Sequence, residues 1–274
     1  MDLASRALKP QATRARGLMT AKTYQISFQL YTARNFPSQE VVLRELKSIG
    51  YDAVEAWTGN FEDAKGFRAR IDAVGLRCLS FHAPFRGLVE QTHRFIDIAH
   101  TLGASLIVAP YLAPEDRPVN AAGWRAVGEK LVQVAERAAR DQLKVAWHNH
   151  DFEYLPLADG SRPIDIMLEA AGPEVGFEID LAWVKRAQAD PVVEVTRYAP
   201  RIFAIHVKDT APAGASEEGG WRAAGAGILD WKALWPSFAS TAAGQLVVEH
   251  DEPKNWLKVA QDSYDFLVAM GARG

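Results

Sequence analysis

Residues 95–110 read FIDIAHTLGASLIVAP, and within this stretch a helical pattern passes directly into a strand pattern. Apolar side chains recur at helical spacing at Phe95, Ile98, Ala99 and Leu102. Gly103 ends the helix, and the short apolar run 105–109 that follows is closed by Pro110. A helix that leads directly into a buried strand is the repeating unit of a parallel α/β fold.

The same alternation extends along the chain from Tyr24 onward. Strand patterns are predicted over 24–31, 53–57, 79–81, 105–109, 144–148, 175–179, 202–207 and 245–249. Eight strand–helix units in about 250 residues are typical of a closed barrel. A doubly wound open sheet is the alternative, but no Gly-rich dinucleotide fingerprint follows the first strand. We therefore predict an α/β fold with a single domain, a (β/α)8 TIM barrel over 23–274.

Residues 1–22 differ from the rest and are predicted to be a flexible N-terminal extension. Their charged side chains are mostly basic, and they contain no apolar block that would serve as a secretory signal. A transit peptide, or a start site upstream of a true Met19, are the other interpretations of this segment. We expect it to contribute nothing to the barrel.

Composition excludes several classes of function. The 274 residues are 48% hydrophobic and 24% charged, which is ordinary for a soluble globular protein. A formal net charge of -3 provides no basic face for nucleic acid. The single cysteine, Cys78, excludes an intrachain disulfide and is expected to be buried. No apolar stretch approaches the roughly 18 residues of a membrane span, so we expect a cytoplasmic protein, with a homodimer as a compatible assembly.

Polar side chains collect at the C-terminal ends of seven of the eight predicted strands. They are Gln29 and Tyr31, Glu55, His82, His148 and His150, Asp180, His206 and Lys208, and Glu249 and His250. Strands of a parallel barrel are otherwise nearly all apolar, and substrates bind at this end of the fold. Repeated His and Glu are not the residues that cap helices. The pattern predicts an active site at the mouth of the barrel.

Four of these residues have the chemistry of metal ligands: His148, Asp180, His206 and Glu249. They come from strands five to eight and would surround one side of the mouth. Two imidazoles and two carboxylates around a divalent ion give a nearly neutral site. Mixed nitrogen and oxygen ligands suit manganese, which we expect first, and also zinc, cobalt, magnesium or iron. The alternative is four separate hydrogen-bonding residues.

These residues resemble the sugar phosphate isomerase/epimerase family of xylose isomerase-like barrels, which also includes tagatose-type epimerases, inosose dehydratase and endonuclease IV. The resemblance covers Gln25 to about Met270. Its most specific segments are QLYTAR 29–34, GYDAVE 50–55, WHNHDFE 147–153, FEID 177–180, HVKD 206–209, GAGILDW 225–231 and VEHD 248–251. Each segment alone is weak, and together they are strong.

The resemblance implies a metal held by Glu, Asp, His and Glu from strands five to eight. Asp180, His206 and Glu249 match the last three positions, whereas the first is occupied by His148, with His150 as the competing choice. A metal-bound imidazole is a poor base. If the reaction needs two proton-transfer groups, Glu249 is one.

Glu153 is the first candidate for the other proton-transfer group. Lys208 is the next, provided that burial near the metal depresses its pKa; otherwise it clamps a substrate oxygen. The remaining strand-end residues are expected to bind substrate: Glu55, His82, His150, Lys208 and Gln29.

The expected function is a divalent-metal-dependent isomerase or epimerase that removes a proton next to the carbonyl of a sugar, keto-sugar or polyol. A lyase or dehydratase of the same substrates is the alternative, because both reactions pass through an enolate. A DNA-repair endonuclease would need more histidine ligands, and Trp183 stands where one is expected. A barrel that binds a ligand without catalysis is the third possibility.

Two further features bear on the substrate. The stretch 209–227 is long enough to form a lid after strand seven, with an ordinary surface loop as the alternative. Trp57, Trp147 and Trp183 lie near strand ends, where they would pack against the apolar face of a sugar or belong to the core. No Gly-rich phosphate cradle is present, so a phosphate is not expected to be required.

Overall fold

Eight parallel strands close into a barrel in the computed structural model, which describes residues 22–36 and 38–273. The strands are β1 Gln25–Gln29, β2 Ala53–Ala56, β3 Arg77–His82, β4 Leu106–Ala109, β5 Lys144–His148, β6 Val175–Asp180, β7 Ile202–Val207 and β10 Gln245–Val248. A separate antiparallel pair is formed by β8 Asp209–Thr210 and β9 Trp221–Arg222. The barrel closes where β1 pairs with β10, and the prediction of a single (β/α)8 barrel is confirmed. Of the predicted extension 1–22, all but Lys22 lies outside the described residues.

Helices follow the strands around the outside of the barrel. They are α1 Gln39–Ile49, α2 Ala64–Ala73, α3 Phe85–Glu90, α4 Thr92–Leu102, α5 Ala121–Ala139, α6 Pro163–Ala170, α7 Leu181–Arg186, α8 Pro191–Tyr198, α9 Trp231–Leu234 and α10 Trp256–Ala269. The predicted helix stop is seen at α4, where Gly103 adopts φ 71° and its N–H bonds to the carbonyls of Ala99 and His100. None of the helices in the described part of the chain has the length and apolarity needed to cross a membrane.

The predicted first strand was too long by two residues at its C-terminal end. The strand ends at Gln29, and Leu30–Ala33 form a 3-10 turn instead. The side-chain oxygen of Gln29 accepts the N–H of Tyr31 at 3.0 Å, which caps the turn. A polar side chain at the strand end therefore turns the backbone out of the sheet.

Two apolar cores stabilise the barrel. The larger core lies between the sheet and the helices, and includes the buried Cys78. The smaller one, the interior plug, consists of Leu106, Val108, Ala146, Ala204 and Val247. Side chains two residues apart on a strand share a face, so residues 148, 206 and 249 lie directly above plug positions 146, 204 and 247. The plug thus closes the barrel beneath the polar strand ends.

The segment predicted as a lid is built around the β8–β9 pair and a 3-10 turn at Glu217–Gly220. The buried Asp209 anchors its base: one carboxylate oxygen accepts the N–H groups of Thr210 and Leu229 at 2.9 and 3.1 Å. The other oxygen accepts the indole N–H of Trp231 at 2.8 Å. The segment is therefore structured where it leaves β7.

Candidate metal centre and active site

The four ligands predicted from the sequence converge at the C-terminal ends of the strands. His148, Asp180, His206 and Glu249, here called the mouth group, are all buried, and each offers one ligand atom within 4.8 Å of the others. Strand register explains part of this convergence, because Asp180 and His206 are paired across β6 and β7. His148 belongs to this group, whereas His150, the competing choice for the first position, does not.

A second set of donors lies one layer deeper in the barrel. His82, His148, Glu178 and His206, here called the inner group, also place one ligand atom each within 4.8 Å of the others. Glu178 precedes Asp180 by two residues on β6, so both side chains point into the barrel. Glu178 was missed by the sequence analysis. The available signal was a charged residue inside a strand that should be apolar on both faces.

The inner group centres on the carboxylate of Glu178. Its Oε2 lies 2.8 Å from Nε2 of His82, 3.1 Å from Nε2 of His206 and 3.4 Å from Nδ1 of His148. Glu55 lies beside it, with Oε1 3.0 Å from His82 Nε2 and 2.9 Å from His206 Nε2. Three imidazoles and two carboxylates therefore meet in the barrel interior.

His206 contacts both groups with different ring nitrogens. Its Nδ1 lies 3.2 Å from Oε2 of Glu249 in the mouth group, and its Nε2 faces Glu55 and Glu178. Burial alone would lower its pKa, but Glu178, Glu249 and Glu55 hold the pKa of His206 well above its ordinary value. His148 differs: burial and the neighbouring His206 hold its pKa well below the ordinary value, so its imidazole is neutral. A neutral imidazole is the form that binds a metal.

Three of the nine buried side-chain atoms that have no hydrogen bond among the described residues belong to these two groups. Nδ1 of His148, Oε1 of Glu178 and Oδ2 of Asp180 have no hydrogen bond to any described residue. His148 Nδ1 does lie 3.4 Å from Glu178 Oε2, and Asp180 Oδ2 lies 3.1 Å from Nζ of Lys208. Buried polar side chains nearly always have a partner. An imidazole nitrogen and carboxylate oxygens without partners are the donor set of a divalent ion. The residues present therefore fit a divalent metal ion.

Lys208 places a positive charge inside the mouth. Its Nζ lies 2.8 Å from Glu249 Oε2, 2.8 Å from Asp251 Oδ2 and 3.1 Å from Asp180 Oδ2. Burial would lower the pKa of Lys208, but the three carboxylates raise it above its ordinary value. The expected depression of this pKa was therefore wrong, and the ammonium form is the stable one. In this state Lys208 is a hydrogen-bond donor rather than a base.

The sequence from 43 to 270 matches the family model of xylose isomerase-like TIM barrels. The chain belongs to this family. Among curated relatives, the rhizopine catabolism protein MocC of Rhizobium meliloti is 29% identical over 166 residues, 54% of this chain and 50% of the relative. Inosose dehydratase of Geobacillus kaustophilus is 25% identical over 194 residues, 63% of this chain and 62% of the relative. The matches thus span about half to three-fifths of each relative's length.

Solved structures show the same fold. A sugar phosphate isomerase/epimerase from Parabacteroides distasonis has a TM-score of 0.76 and 21% identity, covering 94% of this chain and 98% of that one. IOLI protein with a bound zinc atom has a TM-score of 0.71 and 16% identity, and the match covers 90% of this chain and 96% of that one. A xylose isomerase-like TIM barrel protein from Mycobacterium smegmatis in complex with magnesium has a TM-score of 0.68 and 15% identity. That match covers 90% of this chain and 96% of the other.

Glu153 lies away from both ligand groups of this xylose isomerase-like barrel. Its Oε1 accepts the indole N–H of Trp147 at 3.1 Å, and its Oε2 accepts the N–H of His150 at 2.9 Å. Trp147 belongs to the large core outside the strands and packs edge-on against Phe85. Burial raises the pKa of Glu153 to about 8. Both oxygens of this carboxyl are thus engaged, one with Trp147 and the other with the backbone of His150.

Glu55 and Gln29 are fully buried and bond to each other beneath the mouth. Gln29 Nε2 donates to Glu55 Oε1 at 2.7 Å, and the Ser80 hydroxyl donates to Glu55 Oε2 at 2.5 Å. His82 is 8% exposed and bonds to Glu178. The carboxylates raise the pKa of His82 to about 9 in spite of its burial. These three predicted substrate contacts are thus placed around the inner group.

His150, Trp183 and Trp221 form a row of rings beside the mouth of the barrel, here called the aromatic wall. The ring of His150 lies 5.2 Å from that of His148 and 4.8 Å from that of Trp183, which in turn contacts Trp221 at 4.5 Å. Nδ1 of His150 and Nε1 of Trp183 have no hydrogen-bond partner among the described residues. Burial lowers the pKa of His150 to about 3, so its ring is uncharged. Of the three predicted sugar-packing tryptophans, Trp183 is the one placed in this wall.

A largely apolar cavity of about 750 Å³ opens on the β3–β4 side of the mouth. Phe85, Val89, Tyr111 and Leu112 are among its lining residues. The ring of Tyr111 lies 5.0 Å from that of His150, so the cavity borders the aromatic wall.

Proposed function

We propose that this barrel is a divalent-metal-dependent isomerase or epimerase of a keto-sugar or cyclic keto-polyol, acting by proton abstraction next to the carbonyl. The observation that carries the proposal is the convergence of His148, Asp180, His206 and Glu249 at the mouth. Two of their atoms, Nδ1 of His148 and Oδ2 of Asp180, have no hydrogen bond to a described residue. These four residues would hold the ion. A bound divalent ion polarises a carbonyl and stabilises the negative charge that develops on its oxygen.

Glu249 is the group we assign to proton transfer. It is 5% exposed at the mouth, and although burial opposes ionisation, Lys208 and His206 hold its pKa well below the ordinary value. It is therefore a carboxylate at neutral pH and is able to accept a proton from the carbon next to the carbonyl. Lys208 donates hydrogen bonds from the same side and stabilises a substrate oxygen that gains negative charge.

The substrate we propose is an uncharged polyhydroxylated ketone. The aromatic wall offers a surface for an apolar ring face, and His150 Nδ1 and Trp183 Nε1 offer unused hydrogen-bonding atoms for hydroxyls. Two cations at this side of the mouth, Lys208 and Arg186, are already engaged. Lys208 holds three carboxylates, and Arg186 stacks on Trp221 at 3.1 Å and bonds to Thr210. A phosphate group would find neither of them free.

A dehydratase or lyase is the second candidate. It is favoured by the similarity to inosose dehydratase and by the ammonium of Lys208 directly beside Glu249. In such a reaction Glu249 takes the proton from carbon, and the electron pair forms a C=C bond as the C–O bond at the next carbon breaks. Lys208 then gives a proton to the departing oxygen. The cavity next to Tyr111 would accommodate an alkoxyl leaving group.

The test is metal analysis followed by proton exchange in D2O. We expect stoichiometric divalent ion in the purified protein and NMR-detected deuterium next to the carbonyl of a ketose, an inosose or a 3-keto-glycoside. Retention of all oxygen substituents would identify an isomerase or epimerase, and loss of one would identify the lyase. A metal-loaded protein that exchanges no proton in any of these ketones would refute the proposal.

A matched pair of variants tests whether Glu249 is the residue required for proton exchange. Glu249→Gln should lower the exchange rate by at least about 100-fold, as expected for loss of a residue that both holds the ion and accepts the proton. Glu252→Gln changes an exposed carboxylate on the same loop and should leave exchange unchanged.

A further inference from the structure

The cavity on the β3–β4 side of the mouth has rigid walls. Three prolines, Pro84, Pro110 and Pro118, are among its lining residues, and proline fixes the backbone angle φ. Phe85 and Leu112 also line it, and both belong to the large apolar core, which holds their side chains in place. Its volume of about 750 Å³ is within the usual range for a small-molecule site. The cavity is therefore formed before any ligand enters it.

Tyr111 joins this cavity to the mouth. It lines the cavity, its ring lies 5.0 Å from that of His150 in the aromatic wall, and it is 41% exposed. The Tyr111 hydroxyl accepts a hydrogen bond of 2.7 Å from Arg117, whose guanidinium lies 3.6 Å from the centre of the Phe152 ring. An exposed aromatic ring held in this way offers a surface on which another ring packs. A ligand that contacts the aromatic wall therefore reaches the cavity by extending past Tyr111.

The charges around the cavity balance. Arg86, Glu90, Asp116 and Lys130 are among its lining residues, two of each sign, and Arg86 pairs with Glu90 at 2.9 Å. All four are exposed, so their charges lie toward solvent. A site for a charged group would show an excess of the opposite sign. The group that fits this cavity is uncharged and apolar.

We propose that the cavity binds an aromatic ring carried by the substrate, so that the substrate is a keto-sugar with an uncharged aromatic substituent. The inference rests on the proposed function, because the keto-sugar occupies the mouth while its substituent occupies the cavity. Tyr111 is then a specificity-determining residue that packs against the substituent where it leaves the sugar. The assignment holds for an isomerase and for a lyase, since both bind the whole molecule before any bond breaks.

The test compares two substrates that differ only in the substituent, the methyl and the 4-nitrophenyl glycosides of 3-keto-glucose. Proton exchange next to the carbonyl is followed in D2O with the metal-loaded protein. The KM of the nitrophenyl glycoside should be lower by at least about tenfold, as expected for burial of an aromatic ring.

Two pairs of variants locate this preference. Ala126→Trp fills part of the cavity from α5, whereas Ala139→Trp adds the same side chain at the exposed end of that helix. Ala126→Trp should raise the KM of the nitrophenyl glycoside by at least about tenfold and leave that of the methyl glycoside unchanged, and Ala139→Trp should retain both values. Tyr111→Ala should reduce the preference, and Tyr111→Phe, which keeps the ring, should preserve it.

Equal KM values for the two glycosides in the unmodified protein would overturn the inference, as would a preference that survives Ala126→Trp. If Ala126→Trp does not fold, as judged by circular dichroism, Val89→Trp fills the cavity from α3 and should give the same result.

Binding of the methyl and 4-nitrophenyl glucosides, which carry no ketone, separates this inference from the proposed function. Isothermal titration should show tighter binding of the nitrophenyl glucoside by at least about tenfold, and Ala126→Trp should remove the difference. That result without proton exchange in either keto-glycoside would count against the proposed function alone. Equal binding of the two glucosides would count against the cavity as the site of the aromatic ring.

Discussion

The lower and upper halves of the barrel interior are built on the same strands but with opposite chemistry. The plug contains Ala146 of β5, Ala204 of β7 and Val247 of β10. Two positions further along the chain from each of these lie His148, His206 and Glu249 of the mouth group. The plug closes the barrel by burying apolar surface, whereas the upper layer encloses charges that cost desolvation free energy. This difference indicates that the plug carries the fold and the upper layer carries the function.

Removing the cation from the upper layer should have the largest effect on stability. Lys208→Met leaves Asp180, Glu249 and Asp251 close together without their shared ammonium. Loss of one partner from a buried charge cluster destabilises by about 3–5 kcal/mol. We expect urea unfolding in the presence of a chelator to show a loss of this size, partly restored by a divalent ion.

The control is Lys258→Met, which removes an exposed lysine paired with Asp262 on α10. An exposed pair within a helix contributes little, so its unfolding midpoint should barely change. If Lys208→Met is as stable as this control, the mouth carboxylates do not depend on Lys208 for their charge balance.

A cavity in the plug should reduce stability and leave the chemistry intact. Leu106→Ala removes a 5% exposed side chain of the plug and should cost about 2–4 kcal/mol in the free energy of unfolding. Metal content and the proton-exchange rate should be unchanged, because Leu106 is not among the residues of either ligand group. Leu257→Ala, at a partly exposed position of α10, is the matched control for loss of the same side chain. Lost metal in Leu106→Ala would show that the plug also shapes the site.

Behind the upper layer, Glu153 should make stability fall as pH rises. Its pKa is raised by burial from 4.5 to about 8, so between these values the folded protein retains a proton that the unfolded chain releases. The stabilisation is complete below pH 4.5 and is lost as pH approaches 8, at no more than about 1.4 kcal/mol per pH unit.

Glu153→Gln should remove this component of the pH dependence, measured by urea unfolding at several pH values from 5 to 8. Glu129→Gln, on the exposed side of α5, should retain the slope of the unmodified protein. Parallel curves for Glu153→Gln and Glu129→Gln would mean that Glu153 is ionised in the folded state.

The sequence was sufficient for the fold because each strand–helix unit carries its own signal. Gly103 ended α4 as predicted, and all eight strands were found. The ends of the strands were predicted less accurately. The first strand ends at Gln29 because its side chain caps a turn, and the pattern of apolar residues does not show such a bond. Register and closure depend on long-range pairing such as that of Phe28 with Val248.

The site was only half predictable for a related reason. The sequence placed residues at strand ends, and the mouth group came together as expected. Glu178 lies inside its strand rather than at the end and was missed, although its spacing of two residues from Asp180 places both on one face. Glu153 was chosen because its position resembles a substrate-contacting glutamate of the family, and that likeness does not reveal that its carboxyl bonds to Trp147 and to the backbone of His150. The layers of side chains below the mouth form only when the strands close into a barrel, so residues from distant parts of the sequence meet there.

The smallest predicted effect is at the rim of the upper layer. Trp183→Phe removes an indole N–H that has no partner among the described residues and retains much of the ring that contacts His150 and Trp221. If that N–H bonds a substrate hydroxyl, its loss costs about 0.5–1.5 kcal/mol, or roughly 2- to 10-fold in KM. The value of kcat should be unchanged, because such a contact is made equally before and during the reaction. Trp235→Phe, near Tyr24 at the opposite end of the barrel, should leave KM unchanged. An equal KM for the two variants would mean that the aromatic wall packs against the substrate without bonding to it.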